Sequence, residues 1–399
     1  MNTIHLSSRV QRIKPSPTIA VTQRAAELKR SGKDVIGLGA GEPDFDTPAH
    51  IKEAAIAAIR EGFTKYTAVD GIVELKQAIV TKFKRDNNLE FVSDQVLVSV
   101  GGKQSLFNLT QAVLQSGDEA IVPAPYWVSY PDMVLLADAK PVTVMAGIEQ
   151  GFKITPAQLE QALNKNTRLL IINSPSNPTG VIYTRDELIA LGKVLRGYPD
   201  VIIATDDIYE HICWTGEPFC NIANACPDLL DRTVVVNGVS KAYAMTGWRI
   251  GYAAGPKPVI TAMRKIQSQS TSNPTSISQV AAAAALNGSQ ECLGPRVAAF
   301  KERHDRVVDR LNRIKGVSCL RSQGAFYAFA DVHEAMANVP EVEDDIQMAE
   351  YILQDAGVAL VPGSAFGAEG YLRLSFATSM EVLDEALDRI ERLLGRRGH

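Results

Sequence analysis

The chain has 399 residues, more than one ordinary domain needs, and 41 Lys+Arg against 45 Asp+Glu leave a net charge of −4. That balance excludes a generic polyanion binder, which needs a basic excess to neutralise phosphates. Hydrophobic residues at 46% and charged residues at 22% exclude a mainly disordered chain, and no apolar stretch of about 18 residues exists to cross a membrane.

The opening MNTIHLSSRVQRIKPSP is mildly basic but has no apolar core, so no secretory signal is expected. The segment that follows runs up to GAGEPDFDTP (39–48), rich in Gly, Pro and Asp, and reads as a lid or a crossing connection. Short apolar runs then alternate with helical patterns. The runs are DQVLVSV (94–100), DEAIVP (118–123), RLLIIN (168–173), VIIATD (201–206), RTVVVN (232–237) and RIGYAAG (249–255). Helical periodicity follows from Lys103 and again from Thr184. Strands that are apolar throughout and separated by helices predict a mostly parallel sheet covered on both faces, an α/β architecture.

The C-terminal part reads differently. A long charged helix over about 295–314 precedes the strand-like runs AFYAFADV and YLRLSFA, a helix near 343–355 and an amphipathic helix from Met380. Mixed elements without strict alternation predict a separate α+β unit. The expected division is a large domain over 48–290 and a discontinuous small domain from 1–47 and 291–399.

Five cysteines (Cys213, Cys220, Cys226, Cys292, Cys319) without CxxC pairs argue against a disulfide framework and suit a reducing, cytoplasmic compartment. The histidines never fall at metal-ligand spacing and HExxH is absent, so no metal is expected.

In open α/β sheets ligands sit beyond the carboxyl ends of the strands, which directs attention to the residues there. After VLVSV come Gly101, Gly102 and Lys103 ahead of a helix, either a phosphate cradle or an ordinary tight turn. After DEAIVPAP come Tyr126 and Trp127, able to stack on a flat ring or simply to pack a core. SPSNPTG (174–180) makes a stiff loop, with X-Pro bonds suited to cis geometry, that holds Asn177 over a strand end. Asp206 closes VIIATD, with Tyr209 on the same side if the chain turns helically; the plainer reading of Asp206 is an N-cap. Ser240 and Lys241 follow RTVVVNGV, and Arg249 lies eight residues beyond Lys241. A lysine set among small and apolar residues is a candidate Schiff-base amine, because desolvation and a neighbouring cation favour its neutral form. Together an amine, a carboxylate, a phenol, a stacking aromatic, a rigid asparagine and a phosphate cradle match what pyridoxal phosphate requires.

SPSNPTG, TDDIYE and SKAYAMTGWRIGY, in that order, resemble the class I, fold-type I aminotransferases that use pyridoxal 5′-phosphate. GAGEPDFDTP, TKYTAVDG, VGGKQSLFN, PYWVSYPDM and YLRLSFATS are similar to the bacterial-type aspartate and aspartate–prephenate enzymes. The resemblance spans residue 5 to the C-terminus. It implies a mostly parallel seven-stranded sheet in the large domain and a homodimer with shared active sites, with no nucleic-acid or membrane partner. Lys241 would take the cofactor aldehyde and move the proton. Asp206 would pair with the ring nitrogen, Asn177 and Tyr209 would contact the phenolic oxygen, and Trp127 would lie against the ring. Ser240, Arg249 and the Gly101–Gly102 turn would hold the phosphate, with Tyr66 reaching the neighbouring subunit's phosphate.

For the substrate, the resemblance implies Arg373 at the α-carboxylate, the Gly41 loop closing over it, and Trp127 and Asn177 alongside. The stretch QSQSTSNPTS (267–276) has no arginine for a distal carboxylate, and the related bacterial enzymes use the lysine after the Gly-Gly turn, here Lys103. Lys14 is either a contact for larger dicarboxylates such as prephenate or a solvated arm lysine. The expected reaction is L-aspartate + 2-oxoglutarate ⇌ oxaloacetate + L-glutamate, with prephenate and arogenate as further substrates. The rivals are aromatic, kynurenine or alanine aminotransferases, carbon–sulfur lyases of the same fold, and a cofactor-binding regulator.

Overall fold

The computed structural model describes residues 4–395. After a short strand β1 (Ile36–Gly37) come β2 (Val96–Ser99), β3 (Glu119–Ala124), β4 (Lys140–Met145) and β5 (Thr167–Asn173). β6 (Ile202–Asp206), β7 (Thr233–Gly238) and β8 (Gly251–Ala254) complete a seven-stranded sheet in the order β2-β8-β7-β6-β5-β3-β4. β8 is antiparallel to both β2 and β7, and every other pairing is parallel. This is the α/β, mostly parallel arrangement that the apolar runs predict.

The physical reason is visible in β5. Leu169 and Ile171 join one core cluster, while Leu170 and Ile172 join another across the sheet. Successive strand residues point to opposite faces, so a continuous apolar run needs cover on both. The helices Gly102–Val113, Ser129–Leu136 and Lys257–Ser268 cover one face. Arg185–Leu195, Val73–Asn87 and Ser276–Asn287 cover the other. Arg185–Leu195 begins on a capping box in which Thr184 and Glu187 satisfy each other's backbone N–H groups.

The apolar runs do not mark β4. It is an edge strand that opens Lys-Pro and leaves Lys140, Thr143 and Met145 exposed, so it carries no continuous apolar signal.

The C-terminal part contains β9 (Ser318–Cys319), β10 (Tyr327–Asp331), β11 (Val358–Ala359), β12 (Val361–Pro362) and β13 (Tyr371–Ser375). A four-stranded antiparallel sheet runs β12-β13-β10-β9, packed under the helices Leu293–Leu311 and Met380–Gly395. β11 pairs in parallel with β1, which ties the N-terminal segment to this C-terminal part. Ahead of β1, the helix Pro17–Arg30 lies over the cleft between the two sheets.

Candidate active site

The residues beyond the ends of β5, β6 and β7 meet in a cleft of about 450 Å³, walled also by β13 and the helix Pro17–Arg30. Asp206 and Tyr209 both line it, although the chain makes a tight turn there instead of the expected helical one. Two short hydrogen-bonded loops close that turn: Glu210 N–H donates to Asp207 O at 2.9 Å, and Ile212 N–H to Tyr209 O at 2.8 Å.

Asp206 is buried, and its Oδ2 accepts from Tyr130 Oη at 2.6 Å. Among the described residues no cation forms an ion pair with it, and burial raises its pKa to about 6. A buried carboxylate placed so is made for a cationic partner, and a protonated ring nitrogen supplies one. Tyr209 Oη stands 2.9 Å from Tyr327 Oη.

Lys241 Nζ donates to Gly41 O and lies 6.0 Å from the Tyr209 ring centre and 5.9 Å from that of Phe326. Burial first, then Arg249 and Arg373, depress its pKa to about 8. An ammonium so placed gives up its proton far more readily than a surface lysine.

At the other end Gly101 adopts φ 82° and the helix Gly102–Val113 starts immediately after it. A β-carbon on Gly101 would come 2.3 Å from Arg249 Nη2, so only glycine lets the guanidinium sit against this turn. Arg249 Nη1 is steadied by Thr246 O at 2.7 Å, and Ser240 is buried beside the cleft. Helix N–H groups, a hydroxyl and a guanidinium facing one spot are the donor set of a dianion site.

Arg373, only 2% exposed, comes from the middle of β13. Its Nη1 donates to Asn177 Oδ1 at 2.8 Å and its Nη2 to Gly39 O at 2.6 Å, while its buried Nε has no partner among the described residues. The rings of Tyr327 and Phe366 flank it at 4.5 and 4.9 Å. Among the described residues no carboxylate pairs with this guanidinium, so it fits an anion brought from outside. Gly41 borders the same space, and a β-carbon there would lie 2.5 Å from Tyr327 Oη. Lys103 Nζ stands 4.9 Å over the Trp127 ring at the cleft mouth, its pKa lowered by burial and by Arg249.

A family model described as "Aminotransferase class I and II" matches residues 33–390. The chain belongs to the class I and II aminotransferases. It is 63% identical over 394 residues to an aspartate/prephenate aminotransferase of Nitrosomonas europaea, covering 98% of this chain and 99% of that one. A second aspartate/prephenate aminotransferase, from Cereibacter sphaeroides, is 56% identical over 390 residues, 97% of this chain and 98% of that one. The crystal structure of the aspartate aminotransferase from Rhizobium meliloti superposes with a TM-score of 0.95 at 48% identity, over 99% of this chain and all (100%) of that one. The Thermus thermophilus aspartate aminotransferase with maleate gives 0.92 at 45% identity, over 98% and 100%.

In this aminotransferase the cleft gathers Lys241, Asp206, Tyr209, Asn177, Ser240 and Arg249, and with them Trp127, Arg373, Gly41, Gly102 and Lys103. Gly101 adjoins it through the helix start. Two further residues do not line this chain's cleft: Tyr66, expected at the neighbouring subunit's phosphate, and Lys14. Tyr66 is 92% exposed on the outer surface of this chain. Lys14 is exposed and lies against Asp132, while Ser16, Thr18, Ile19 and Thr22 of the same segment face the cleft instead. Residues that sequence reasoning missed are Tyr130, Asn173 and Tyr327. Asn173 was within reach of the strand-end rule, since it closes RLLIIN, and its Oδ1 accepts from Asn177 N–H at 2.8 Å. Tyr130, three residues after Trp127, was within reach of helical spacing. Tyr327 carried no signal beyond lying in an apolar run.

Proposed function

We propose that the chain is a pyridoxal 5′-phosphate enzyme that moves an amino group between L-aspartate and 2-oxoglutarate, giving oxaloacetate and L-glutamate, with prephenate and arogenate as a further pair. The observation that carries this reading is Arg373, a buried guanidinium that pairs with no carboxylate among the described residues, in one cleft with the depressed amine of Lys241 and the buried carboxylate of Asp206, which has no ion-pair partner among those residues. The near-full-length likeness to aspartate and aspartate/prephenate aminotransferases supports the dicarboxylate substrate.

The donor set fits the cofactor: Asp206 for its ring nitrogen, Tyr209 and Asn177 for its phenolic oxygen, Trp127 for its face, and Ser240, Arg249 and the Gly101–Gly102 turn for its phosphate. When bound, pyridoxal phosphate supplies an aldehyde and an electron-withdrawing ring that accepts the electron pair left at the substrate Cα. The protein's own groups do the rest. Arg373 holds the substrate α-carboxylate as a fork, and Asn177 fixes the angle of that fork through its Oδ1. Lys103 meets the distal carboxylate from the cleft mouth. Lys241, neutral at the start of the step, takes the Cα proton as general base and returns it on the other side of the transfer. The helix Pro17–Arg30 and the Gly41 segment close over the substrate and exclude water.

A division into a body over 48–290 and a second from the described parts of 1–47 and 291–399 would give this closure its moving bodies. A homodimer follows from the same reading. Tyr66, Ile56, Ile59, Phe63 and Val73 are apolar or aromatic side chains exposed on neighbouring segments of one chain, and Tyr66 would complete the partner's phosphate site. The free cysteines accord with a cytoplasmic setting.

The test is a panel of amino donors (L-aspartate, arogenate, L-phenylalanine, L-kynurenine, L-alanine) with 2-oxoglutarate, scored by glutamate formed. Aspartate and arogenate should lead, and Lys241→Ala should abolish turnover with all of them. Leading activity with alanine or kynurenine would overturn the substrate assignment.

A further inference from the structure

Behind the cleft, on the far side of the turn that carries Asp206 and Tyr209, lies a second charged set that the chemistry above does not use. Lys82, 1% exposed on the helix Val73–Asn87, pairs with Glu210, itself buried. Lys82 Nζ also donates to Asn87 Oδ1 at 2.7 Å, and Asn87 Nδ2 donates to Glu210 Oε2 at 2.7 Å. Asn237 Nδ2, from β7, donates to Glu210 Oε1 at 2.8 Å. Burial alone would raise the Glu210 carboxyl, yet Lys82 and then His211 hold it below its ordinary value. Asp86, Glu210 and His211 lie close enough to hold a metal ion. The cation's place is already taken by Lys82, and Arg85 chelates Asp86 at 2.6 and 3.0 Å, so these groups make an internal ion cluster and not a metal site.

A buried ion pair is a poor means of stabilising a fold, because two apolar residues of the same volume do as well or better. A fully satisfied polar network is a good means of specifying geometry. The geometry specified here is that of the turn. Glu210 directly follows Tyr209, and Asp207 directly follows Asp206. Asp207 accepts from Thr205 Oγ1 at 2.6 Å and Asn221 Nδ2 at 2.6 Å, and its N–H donates to Val236 O at 2.9 Å. Thus residues 206 and 209 face the cleft while 207 and 210 face the anchors.

We propose that the buried Lys82–Glu210 pair, with Asn87 and Asn237, is the positioning device that fixes the 206–210 turn and so sets where the Asp206 carboxylate and the Tyr209 phenol stand in the cleft. Lys82 and Glu210 are positioning residues, since neither borders the cleft. The consequence for the reaction rests on the aminotransferase reading; the geometry does not.

The test compares the full chain with Glu210→Gln and Lys82→Met, each measured with and without pyridoxal phosphate. Amide hydrogen exchange of the peptide spanning 204–212 reads the turn and needs no cofactor. The pH midpoint of the bound cofactor's absorption band reads the Tyr209 contact. A phenol donor favours the deprotonated phenolic oxygen, so a displaced Tyr209 raises that midpoint. Both variants should exchange this peptide faster, raise the midpoint, and lower kcat by about tenfold with a smaller change in KM. If single variants do not fold, the apolar pair Lys82→Met/Glu210→Leu removes both charges together and should still show faster exchange and a raised midpoint. Folded variants with unchanged exchange and an unchanged midpoint, whatever their Tm, would overturn the proposal. A wild-type chain without any absorption band would sink the pyridoxal-phosphate reading, and the exchange of the turn would then decide the positioning role by itself.

Discussion

Replacing Arg373 by lysine separates the charge of this side chain from its shape. The guanidinium already spans Asn177 Oδ1 at 2.8 Å and Gly39 O at 2.6 Å while keeping a free buried Nε. A substrate α-carboxylate on this fork gains paired charge-assisted hydrogen bonds, each worth about 1.5–3 kcal/mol. Lysine keeps the charge but offers one nitrogen at the end of a flexible stem, so one of those bonds is lost. The expected loss in kcat/KM is therefore about 10- to 150-fold. A second effect falls on the fold, because Gly39 O or Asn177 Oδ1 is left buried without its donor, at about 1–3 kcal/mol, visible as a lower Tm. The assay is kcat/KM for L-aspartate and for L-alanine in the amino-donating half-reaction. Both carry an α-carboxylate, so both should fall by the same factor. An unchanged kcat/KM, or a loss confined to aspartate, would refute this placement of Arg373.

Lys103→Met should behave in the opposite way. The ammonium stands over Trp127 at the cleft mouth, so its removal should cost aspartate about tenfold in kcat/KM while leaving alanine nearly untouched, as the same donor panel would reveal. Lys241 gives a pH dependence. With its pKa depressed to about 8, the amine is protonated and unreactive below that value and neutral above it. Uptake of pyridoxal phosphate by cofactor-free protein, followed by stopped-flow absorbance, should accelerate as pH rises through about 8; a midpoint near that of an ordinary lysine would contradict the buried setting.

How far the sequence reaches depends on the kind of contact. The central strands were legible because both faces of β5 and β6 are buried and demand unbroken apolar runs. The edge strand β4 was not, because exposure on one side lets Lys140 and Thr143 interrupt the signal. Asp206, Asn177 and Lys241 were within reach, since a strand end followed by a reactive or rigid residue is a local pattern. Arg373 was reached only through resemblance, for a guanidinium in the middle of YLRLS gives no hint by itself that Asn177 and Gly39 lie against it. The segment around Lys14 marks the limit most clearly. Lys14 carries the charge, yet the neighbours that face the cleft are Ser16, Thr18 and Ile19, at the start of the helix Pro17–Arg30, while Lys14 precedes that helix. Lys82 and Glu210 lie far apart in sequence, and nothing local ties them together.

The most direct test of Lys241 as the cofactor's amine and of L-aspartate as the donor is the absorption spectrum of purified protein after incubation with pyridoxal phosphate, recorded before and after L-aspartate is added without any acceptor. A yellow band should bleach with L-aspartate and return when 2-oxoglutarate is added. A band that aspartate leaves unmoved would contradict the substrate assignment, and no band at all would contradict the roles given to Lys241 and Asp206.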